Sequence, residues 1–315
     1  MEIIRGVGDL TDAHRGCALS IGNFDGVHRG HRAVLAQLAG TAAGLNVPAT
    51  VMTFEPTPKE FFVPDQAPAR LTTLREKLGA LQATACIDKV VVTRFDEQMA
   101  SLPPEEFIER LLVQRLSVRY VIVGDDFRFG HRRKGDFDML SRAGLEHGFD
   151  VATTESFELD GVRVSSTAIR AALAAGDLAY AARMLGRPYS MIGRVRRGEQ
   201  LGRKLGYPTA NISPGRLALP LHGIFAVLVR RSRASKLPGV ASLGTRPTVD
   251  GQEPMLEVHL FDFDDNLYGE RLEVQFIARL RDEEHFPDLA SMVEQMHRDA
   301  ALARELLEQY AEGEP

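Results

Sequence analysis

The sequence predicts an α/β domain with a parallel sheet, followed by a small antiparallel β-barrel with a terminal helix. The chain has 315 residues, which is more than one domain usually contains. In its first half, apolar strand-like runs alternate with segments of helical periodicity, as in parallel sheets covered by helices. Later, short strand-like segments follow one another between glycines, which is typical of a small barrel. Near Gly186 the pattern changes from alternating strand-like and helical segments to short strand-like segments between glycines, so we place the domains at 1–186 and 187–315.

Composition and charge narrow the class of protein. With 44% hydrophobic and 26% charged residues, the chain has the composition of an ordinary globular protein. Its formal net charge of -5 gives no sign of a nucleic-acid-binding surface. Two cysteines, Cys17 and Cys86, are too few for a disulfide framework or a zinc cluster. The sequence has neither a signal-peptide pattern nor an apolar run that could span a membrane. We therefore expect a cytoplasmic protein, and self-association is left open.

The strands and helices of the first domain follow from apolar periodicity. Strand-like runs cover 17–21, 48–54, 89–93, 120–123 and 151–154. Helical spacing predicts one helix after the loop that follows the first strand, and further helices over 73–85, 107–112, 136–147 and 168–174. Ser101 is expected to cap the third of these, with Pro103 and Pro104 in its opening. In such sheets ligands bind beyond the carboxyl ends of the strands, so the loops that follow strands are the candidate site.

The loop between the first strand and the first helix runs from Gly22 to His31. The amides at a helix start lack partners and carry partial positive charge, and glycines let a phosphate approach the backbone. The imidazoles of His28 and His31 can donate hydrogen bonds to phosphate oxygens. These features predict a phosphate-binding turn.

A second anion site is predicted before the helix at 168–174. Asp160 and Gly161 mark a hairpin, and Ser166 is a good N-cap for the helix that follows. Arg170 lies one turn later on the same side. Hydroxyls, free amides and a guanidinium at one helix start suit a pyrophosphate group. From these residues alone, however, a well-capped surface helix is the favoured interpretation.

Two more loops follow strands. Pro56 and Pro58 stiffen the loop after the second strand, and Phe61 and Phe62 could stack on an aromatic ligand or pack in the core. The loop after the fourth strand runs from Gly124 to Gly130. On residue pattern alone, an ordinary proline-rich turn is the favoured interpretation of the first loop. The alternative for the second loop is a polar turn with two core phenylalanines.

The second domain opens with a glycine-rich basic stretch, 193–211, which lacks a Walker A pattern but would suit a phosphate-binding loop. Strand-like segments follow at 224–229, 239–243, 256–260 and 272–276, and a helix is predicted over 289–310. Glu257 is an acidic residue within one of these strands.

Several of these strings resemble one family. Gly22 to His31 contains the His-x-Gly-His signature of nucleotidyltransferases and is similar to the bacterial bifunctional riboflavin kinase/FAD synthetase branch. Val164 to Arg170 is similar to its Ser-Ser-Thr-x-x-Arg signature, and Pro208 to Asn211 to its riboflavin kinase signature. The resemblance covers essentially the whole chain. It implies a Rossmann-like nucleotidyltransferase domain that joins FMN to the AMP of ATP, and a kinase barrel that phosphorylates riboflavin.

The resemblance also implies the site residues, small-molecule partners and a Mg²⁺ requirement. The catalytic residues would be Glu257 as the kinase base, with His28, His31 and Arg170 in the adenylyltransferase. The adenylyltransferase would bind ATP through Gly22, Phe24, Asp25, His28, His31, Ser165, Ser166, Thr167 and Arg170. It would bind the flavin through Pro56, Pro58, Phe62, Asp126 and Phe127. The kinase would bind ATP and flavin through Gly198, Leu201, Gly202, Lys204, Gly206, Pro208, Thr209, Asn211, Tyr268, Arg281 and Phe286, with Thr209 and Asn211 holding magnesium.

Three residues depart from the family pattern. Glu55 and Thr57 stand where the family has an Asp-Pro-His-Pro-like string, and Asp126 stands where it has Asn. We expect Asp126 to recruit a magnesium ion, because a carboxylate near phosphates is otherwise repulsive. One alternative is a different adenylyl acceptor. Another is a flavin-binding regulator, or a kinase whose adenylyltransferase site is degenerate. Asp126 and Thr57 favour this alternative, whereas the intact His28, His31 and Arg170 count against it.

Overall fold

The computed structural model describes residues 1–154, 156–197, 206–216, 218–231, 236–248 and 251–313. The chain divides into two compact units, Met1–Pro68 with Lys77–Val164, and Ala69–Glu76 with Ser165–Pro315. The second unit therefore includes two helices that precede residue 187. Whether 1–186 and 187–315 can act separately stays a prediction.

A six-stranded parallel sheet forms the centre of the first unit. Its strands are β1 (Glu2–Arg5), β2 (Ala18–Ile21), β3 (Ala49–Glu55), β4 (Lys89–Arg94), β5 (Tyr120–Val123) and β6 (Asp150–Thr153), in the order β1-β4-β3-β2-β5-β6. All pairs are parallel. The five predicted strands are confirmed. The chain moves outward from β2 to β4 and then crosses to β5, so the sheet reverses direction between β2 and β5, where ligand sites of such sheets lie.

Helices connect these strands. They are α1 (Arg29–Leu45), α2 (Pro58–Phe62), α3 (Leu74–Ala83), α4 (Glu97–Ser101), α5 (Pro104–Glu106) and α6 (Phe137–His147), and α5 continues as a π-helix over Phe107–Arg115. The expectation that Ser101 caps α5 is wrong. Ser101 ends α4, where its Oγ donates to the Glu97 carbonyl over 2.7 Å, and Pro103 occupies the cap position.

Both faces of the sheet are covered by apolar packing, as expected for helices on both sides. Leu19 and Val121 pack with Leu112 on one face, whereas Val51 packs with Leu35 on the other. Burial raises the pKa of Cys17 in this core to about 11, so its thiol stays protonated. The hairpin predicted at Asp160 and Gly161 joins β7 (Glu158–Leu159) to β8 (Val162–Arg163).

The second unit contains two short helices, a closed barrel and a terminal helix. The helices are α7 (Ser166–Ala174) and α8 (Leu178–Leu185). The antiparallel barrel comprises β9 (Tyr189–Arg196), β10 (Ala210–Ile212), β11 (Gly223–Arg231), β12 (Lys236–Thr248), β13 (Gly251–Leu260) and β14 (Arg271–Arg281), in the order β10-β13-β12-β11-β14-β9. The helix α9 (Leu289–Gly313) packs Ala303 and Leu307 against Ala226 and Phe261. The predicted barrel and terminal helix are confirmed.

A buried ion pair explains why Ala69–Glu76 groups with the barrel. The Arg216 side chain is 0% exposed and lies 2.5 Å from Glu76 Oε2. Arg216 also donates to the carbonyls of Arg70 and Leu71. The other carboxylate oxygen of Glu76 accepts the amide hydrogen of Ile192 over 2.6 Å. The segment is therefore held to the barrel by charge-assisted hydrogen bonds.

Candidate functional site

The turn between β2 and α1 has a strained backbone. Phe24 and Val27 have φ of 48° and 41°, and Gly26 has φ of 84°. This conformation is an outlier for a β-branched residue such as Val27, and it persists only where the surrounding structure imposes it. Here the packing does so, because Phe24 is 4% and Val27 0% exposed. Asp25 is also buried in the turn. Strain of this kind clusters at ligand sites.

His28 and His31 cap the start of α1 reciprocally. The His31 amide donates to His28 Nδ1 over 3.2 Å, and the His28 amide donates to His31 Nδ1 over 3.3 Å. The two rings stack with centroids 3.6 Å apart and planes inclined by 17°. Gly30 leaves room for the His28 ring in this stack, because a Cβ at position 30 would lie 3.2 Å from His28 Nδ1. The result is a capping box made of two imidazoles.

The reciprocal cap determines where these rings carry their protons. Since each Nδ1 accepts a backbone hydrogen bond, a neutral ring carries its proton on Nε2. Burial lowers the pKa of His31 well below its ordinary value, and the charges of His28 and Lys77 lower it further. His31 is therefore neutral at physiological pH and presents an Nε2–H donor. A neutral His28 has the same tautomer, so the pair can donate two hydrogen bonds to an anion.

The sequence analysis missed Lys77, which connects α3 to this turn. Its side chain is 2% exposed, and its Nζ donates to Thr53 Oγ1 over 3.4 Å. Thr53, near the end of β3, donates in turn to the Asn23 carbonyl over 3.3 Å. The sequence does contain a signal. Lys77 lies three residues after Leu74 and four before Leu81, on the apolar stripe of a helix, where lysine is rare.

The loop with Pro56 and Pro58 leads directly into α2. Thr57 is the N-cap of this helix, and its Oγ1 accepts the Glu60 amide hydrogen over 3.5 Å. Glu60 returns the contact, because its carboxylate accepts the Thr57 amide hydrogen over 2.8 Å. Thr57 stands where the family has His, and its role in this structure is to cap the start of α2.

Phe61 and Phe62 lie on the surface, so of the two interpretations that the sequence left open, packing in the core is wrong. They are 37% and 60% exposed. Together with Phe95 they form an edge-to-face cluster with centroid separations of 5.3, 5.5 and 5.7 Å. The cluster lies just past the carboxyl ends of β3 and β4, where the fold is expected to bind ligands. Exposed aromatic rings in such a place suit stacking on a planar ligand.

Asp126 is exposed in the loop after β5. Its neighbour Asp125 accepts a hydrogen bond from Arg163 over 2.7 Å. Phe127 stacks on Phe129 with centroids 5.5 Å apart, and this contact joins the loop to the core. The loop is therefore anchored on both sides of Asp126, whose carboxylate faces solvent.

Ser165, and not Ser166, caps α7. Ser165 has extended backbone angles, and its Oγ accepts the Ala168 amide hydrogen over 3.1 Å. Ser166 already has a helical backbone, so it cannot serve as the cap. Thr167 follows in the first turn, and the Arg170 Nε donates to the Ala69 carbonyl over 2.6 Å. These residues all belong to the second unit.

In the barrel, Asn211 and Glu257 are directly opposite each other on β10 and β13. Opposed residues of antiparallel strands share one face. Leu256 and Val258 are buried in the barrel interior, so Glu257 and Asn211 project from its outer face. Thr209 lies two residues before Asn211, next to the start of β10. The register therefore brings together three of the residues that the sequence predicted for the kinase.

We call Asn211 and Glu257, with Thr209 beside them, the Asn211–Glu257 row. A cavity of about 450 Å³ opens next to this row. Gly206 and Tyr207 directly precede Pro208, whose carbonyl accepts a hydrogen bond from His259 Nδ1 over 3.0 Å. His259 lies two residues after Glu257 on the same strand. The residues that line the cavity are Gly206, Tyr207, His259, Phe261, His297, Ala300, Ala301 and Arg304. Its volume is that of a small-molecule site, and sequence reasoning missed it because three separate segments build it.

Four aromatic rings and one guanidinium line this cavity. The Tyr207 ring lies 4.9 Å from the His259 ring and 5.4 Å from the His297 ring, measured between centroids. The Arg304 guanidinium lies 4.2 Å from the Phe261 ring centroid. Burial raises the pKa of Tyr207, so its phenol stays protonated. Such a lining offers stacking and polar contacts to a planar ring.

The remaining predicted kinase residues are distributed around the barrel. Arg281 joins the end of β14 to α9, because its Nε and its terminal nitrogen lie 3.0 and 2.9 Å from Asp299 Oδ2. Its guanidinium lies 5.6 Å from the Phe286 ring centroid. Tyr268 is 40% exposed. Four predicted residues lie outside the described part of the chain: Gly198, Leu201, Gly202 and Lys204.

Within the described ranges, His, Cys, Asp and Glu side chains form no group of three that could hold a metal. Thr209 and Asn211 offer the hydroxyl and carbonyl oxygens that Mg²⁺ prefers, and they fit a site completed by other oxygen ligands. No described helix combines the length and the hydropathy that crossing a membrane requires.

Two family models match the chain, FAD synthetase over residues 10–168 and riboflavin kinase over residues 185–307. The chain is 49% identical over 306 residues to the bifunctional riboflavin kinase/FMN adenylyltransferase of Escherichia coli, covering 97% of each protein. The protein of the same name from Pseudomonas fluorescens is 48% identical over 307 residues, covering 97% of this chain and 98% of that protein. The Haemophilus influenzae protein of that name is 46% identical over 304 residues.

A solved structure has the same fold over nearly the whole chain. It is the crystal structure described as a macrolide-efflux protein from Streptococcus pneumoniae, with a TM-score of 0.80 and 28% sequence identity. The match covers 96% of this chain and 99% of that one.

Proposed function

Because the chain belongs to the bifunctional riboflavin kinase/FMN adenylyltransferase family, it phosphorylates riboflavin with ATP and transfers an adenylyl group from ATP to FMN, and we propose which residues carry out each step. The kinase step gives FMN, and the transferase step gives FAD and pyrophosphate. The family relationship does not favour a flavin-binding regulator, a degenerate transferase or a different adenylyl acceptor.

In the transferase, His28 and His31 bind the phosphates of ATP. The observation that supports this is the reciprocal cap, which holds the rings at a helix start with their protons on Nε2. Gly22, Phe24 and Asp25 give the turn its shape. Preorganised donors at the position where charge develops lower the barrier without reorganisation during the reaction. The step needs no covalent intermediate and depends on positioning.

The pyrophosphate group is held at the start of α7. Ser165 caps this helix, and Ser166, Thr167 and Arg170 lie in its first turns. Helix starts with free amides and hydroxyls bind anions. Arg170 adds a guanidinium, which suits phosphate oxygens.

The flavin ring of FMN lies against the exposed aromatic cluster. Phe62 presents the most exposed ring, and Pro56 and Pro58 fix the loop that leads to it. Asp126 and Phe127 contribute from the loop after β5. Asp126 would hold a magnesium ion, which when bound would offset the repulsion between the carboxylate and the phosphates of the substrates.

In the kinase, Glu257 is the general base. It takes the proton from the ribityl hydroxyl of riboflavin as that oxygen attacks the γ-phosphate of ATP, the bond to the β,γ-bridging oxygen breaks and ADP leaves. The strand register supports this role, because it places Glu257 opposite Asn211, with Thr209 on the same edge. Thr209 and Asn211 would hold Mg²⁺, which when bound neutralises phosphate charge.

The cavity beside this row receives the planar ring of one kinase substrate, the adenine of ATP or the isoalloxazine of riboflavin. Replacing Ala300, which lines the cavity, by Leu would fill part of it. We expect the variant to raise the KM for one of the two substrates and leave the other unchanged. The substrate affected identifies the ring that binds there.

The whole assignment is tested by incubating the protein with riboflavin and Mg-ATP and separating the flavins over time. FMN should appear first and FAD second. Supplying FMN directly measures the transferase alone. If the protein formed FMN but never FAD, the degenerate-site alternative would replace the proposal for the first unit. Because both steps consume ATP, we propose that the enzyme works in the cytoplasm.

A further inference from the structure

Lys77 is one of the largest fully buried side chains in the described structure, and it is charged. Burying an ammonium is costly, so lysine is almost never fully buried without a specific reason. Other residues on the same helix stripe, such as Leu74 and Leu81, are apolar. Lys77 places a charge on this stripe, and its polar contacts indicate its role.

The contacts of Lys77 lead to the phosphate-binding turn. Thr53 Oγ1 accepts a hydrogen bond from Lys77 Nζ over 3.4 Å and donates one to the Asn23 carbonyl over 3.3 Å. The hydroxyl thus uses its donor on the turn and its acceptor on the ammonium. Asn23 immediately precedes the strained residue Phe24. The ammonium consequently orients the hydroxyl that fixes the beginning of the turn.

The charge of Lys77 also acts on the site. It is one of two groups whose charge affects His31, the other being His28 in the same turn. A positive charge in a region of low dielectric interacts strongly with anions that approach it. The neutral imidazole of His31 can donate a hydrogen bond to a triphosphate, but it brings no charge of its own. Lys77 supplies a positive charge that acts on it.

We propose that Lys77 is a positioning residue for adenylyl transfer, which holds the phosphate-binding turn through Thr53 and adds a buried positive charge that favours ATP binding at His28 and His31. This inference rests on the proposed assignment of the two histidines to the ATP phosphates. Lys77 touches neither the reacting phosphorus nor the flavin in this scheme and acts through the turn.

The test is Lys77→Met in the full chain, with Lys89→Met as the matched control. Lys89 lies at the opposite end of its strand from the site, where its Nζ donates to the Ala13 carbonyl. We expect Lys77→Met to raise the KM for ATP in FAD formation about tenfold or more, since a charged partner is lost. The KM for FMN and the rate of FMN formation from riboflavin should stay within about twofold of the parent. Lys77→Arg, which keeps the charge, should recover part of the loss.

A second readout does not depend on activity. NMR titration of the His31 imidazole, assigned with His31→Ala, should show a higher pKa in Lys77→Met than in the parent, because a nearby positive charge has been removed. The Lys89→Met control should show no shift. An unchanged His31 titration together with an unchanged KM for ATP would overturn the proposal. So would a parallel loss of both activities in Lys77→Met, which would show that Lys77 only maintains the fold. If His28→Ala and His31→Ala left FAD synthesis intact, the proposed function would fail instead, whatever the titration shows.

Discussion

The turn from Gly22 to His31 of the first unit, which we propose binds phosphate, and the Asn211–Glu257 row of the barrel position polar groups in different ways. In the turn, ten consecutive residues contain the whole arrangement, and backbone amides orient the side chains. In the barrel, the two residues are 46 positions apart in sequence, and only the pairing of β10 with β13 brings them together. One site is local and rigid by hydrogen bonding, and the other depends on strand register.

This difference predicts how each site fails. A substitution in the turn disturbs a neighbouring residue through the cap, so its effect spreads within the motif. A substitution on the Asn211–Glu257 row leaves the strand ladder intact, because the side chains project from the outer face. Variants of the Asn211–Glu257 row should therefore lower the reaction rate without changing the fold of the barrel. Variants of the turn should lower the rate and also disturb the orientation of the remaining side chains.

The largest effect is expected for Glu257→Gln. A positioned general base typically contributes about 10²–10⁴-fold, so FMN formation should fall by about that factor. Formation of FAD from supplied FMN should be unchanged. Rates of both reactions, measured with separated flavins, check this. Glu273→Gln, on strand β14 of the same barrel, which does not pair with β13, is the matched control and should leave both rates near normal. Parent-like kinase turnover in Glu257→Gln would remove this residue from the mechanism.

Replacing either histidine of the turn should slow FAD synthesis by about 10²–10³-fold, the usual cost of losing one charge-stabilising donor. FMN formation should stay near normal. His14→Ala is an apt control, because His14 also takes part in a capping box, with Thr11, elsewhere in the same unit. If His28→Ala or His31→Ala abolished both activities together, misfolding would be the better explanation.

The separate action of the two domains can be tested with the fragment 187–315, which should form FMN but no FAD. The fragment lacks Ala69–Glu76, so Arg216 loses both the Glu76 carboxylate and the carbonyls of Arg70 and Leu71. Charge-assisted hydrogen bonds of this kind contribute about 1.5–3 kcal/mol each, so the barrel should unfold at a lower urea concentration in the fragment than in the full chain. In the full chain, Arg216→Met breaks the buried pair with Glu76, which costs about 3–5 kcal/mol and should also appear as easier unfolding in urea. Arg230→Met, which removes an exposed pair with Glu273, should change the stability little. FAD formation by the fragment would contradict the domain assignment.

The smallest and most discriminating effect concerns Asp126→Asn. If the exposed carboxylate holds a magnesium ion, the variant should need a few-fold more magnesium for adenylylation or lose rate at limiting magnesium. A magnesium titration of FAD formation from supplied FMN measures this. Asp138→Asn, at an exposed position of α6, serves as the control. A variant that is faster at every magnesium concentration would show that the carboxylate is a handicap.

Much of the fold followed from apolar periodicity, because buried parallel strands and amphipathic helices have strong patterns. The strand β1 was missed since it has four residues and only Ile4 is buried. The predicted N-cap of α7 was wrong by one residue, because Ser165 and Ser166 have the same side chain and only the backbone angles distinguish them. The exposure of Phe62 was undetermined because an aromatic residue in a loop can face either way.

The candidate sites show the same limit. The turn could be predicted because its chemistry is contiguous. The cavity could not, since Tyr207, His259 and His297 come from a loop, a strand and a helix. Lys77 was visible as a lysine on an apolar stripe, but its link to Asn23 passes through Thr53 on another element. Contacts that depend on three elements are determined by packing, which a single sequence does not display.

The reciprocal cap of His28 and His31 also constrains how the turn can change by mutation. Each imidazole accepts the hydrogen bond that orients the other residue, so replacing one disturbs the second. The first substitution would then remove most of what the pair contributes, and a second would add little. Gly30 belongs to the same group, because a side chain there would press on His28. Selection would therefore act on His28, Gly30 and His31 together, because a variant that keeps only one of the two histidines would have lost most of the function of the pair.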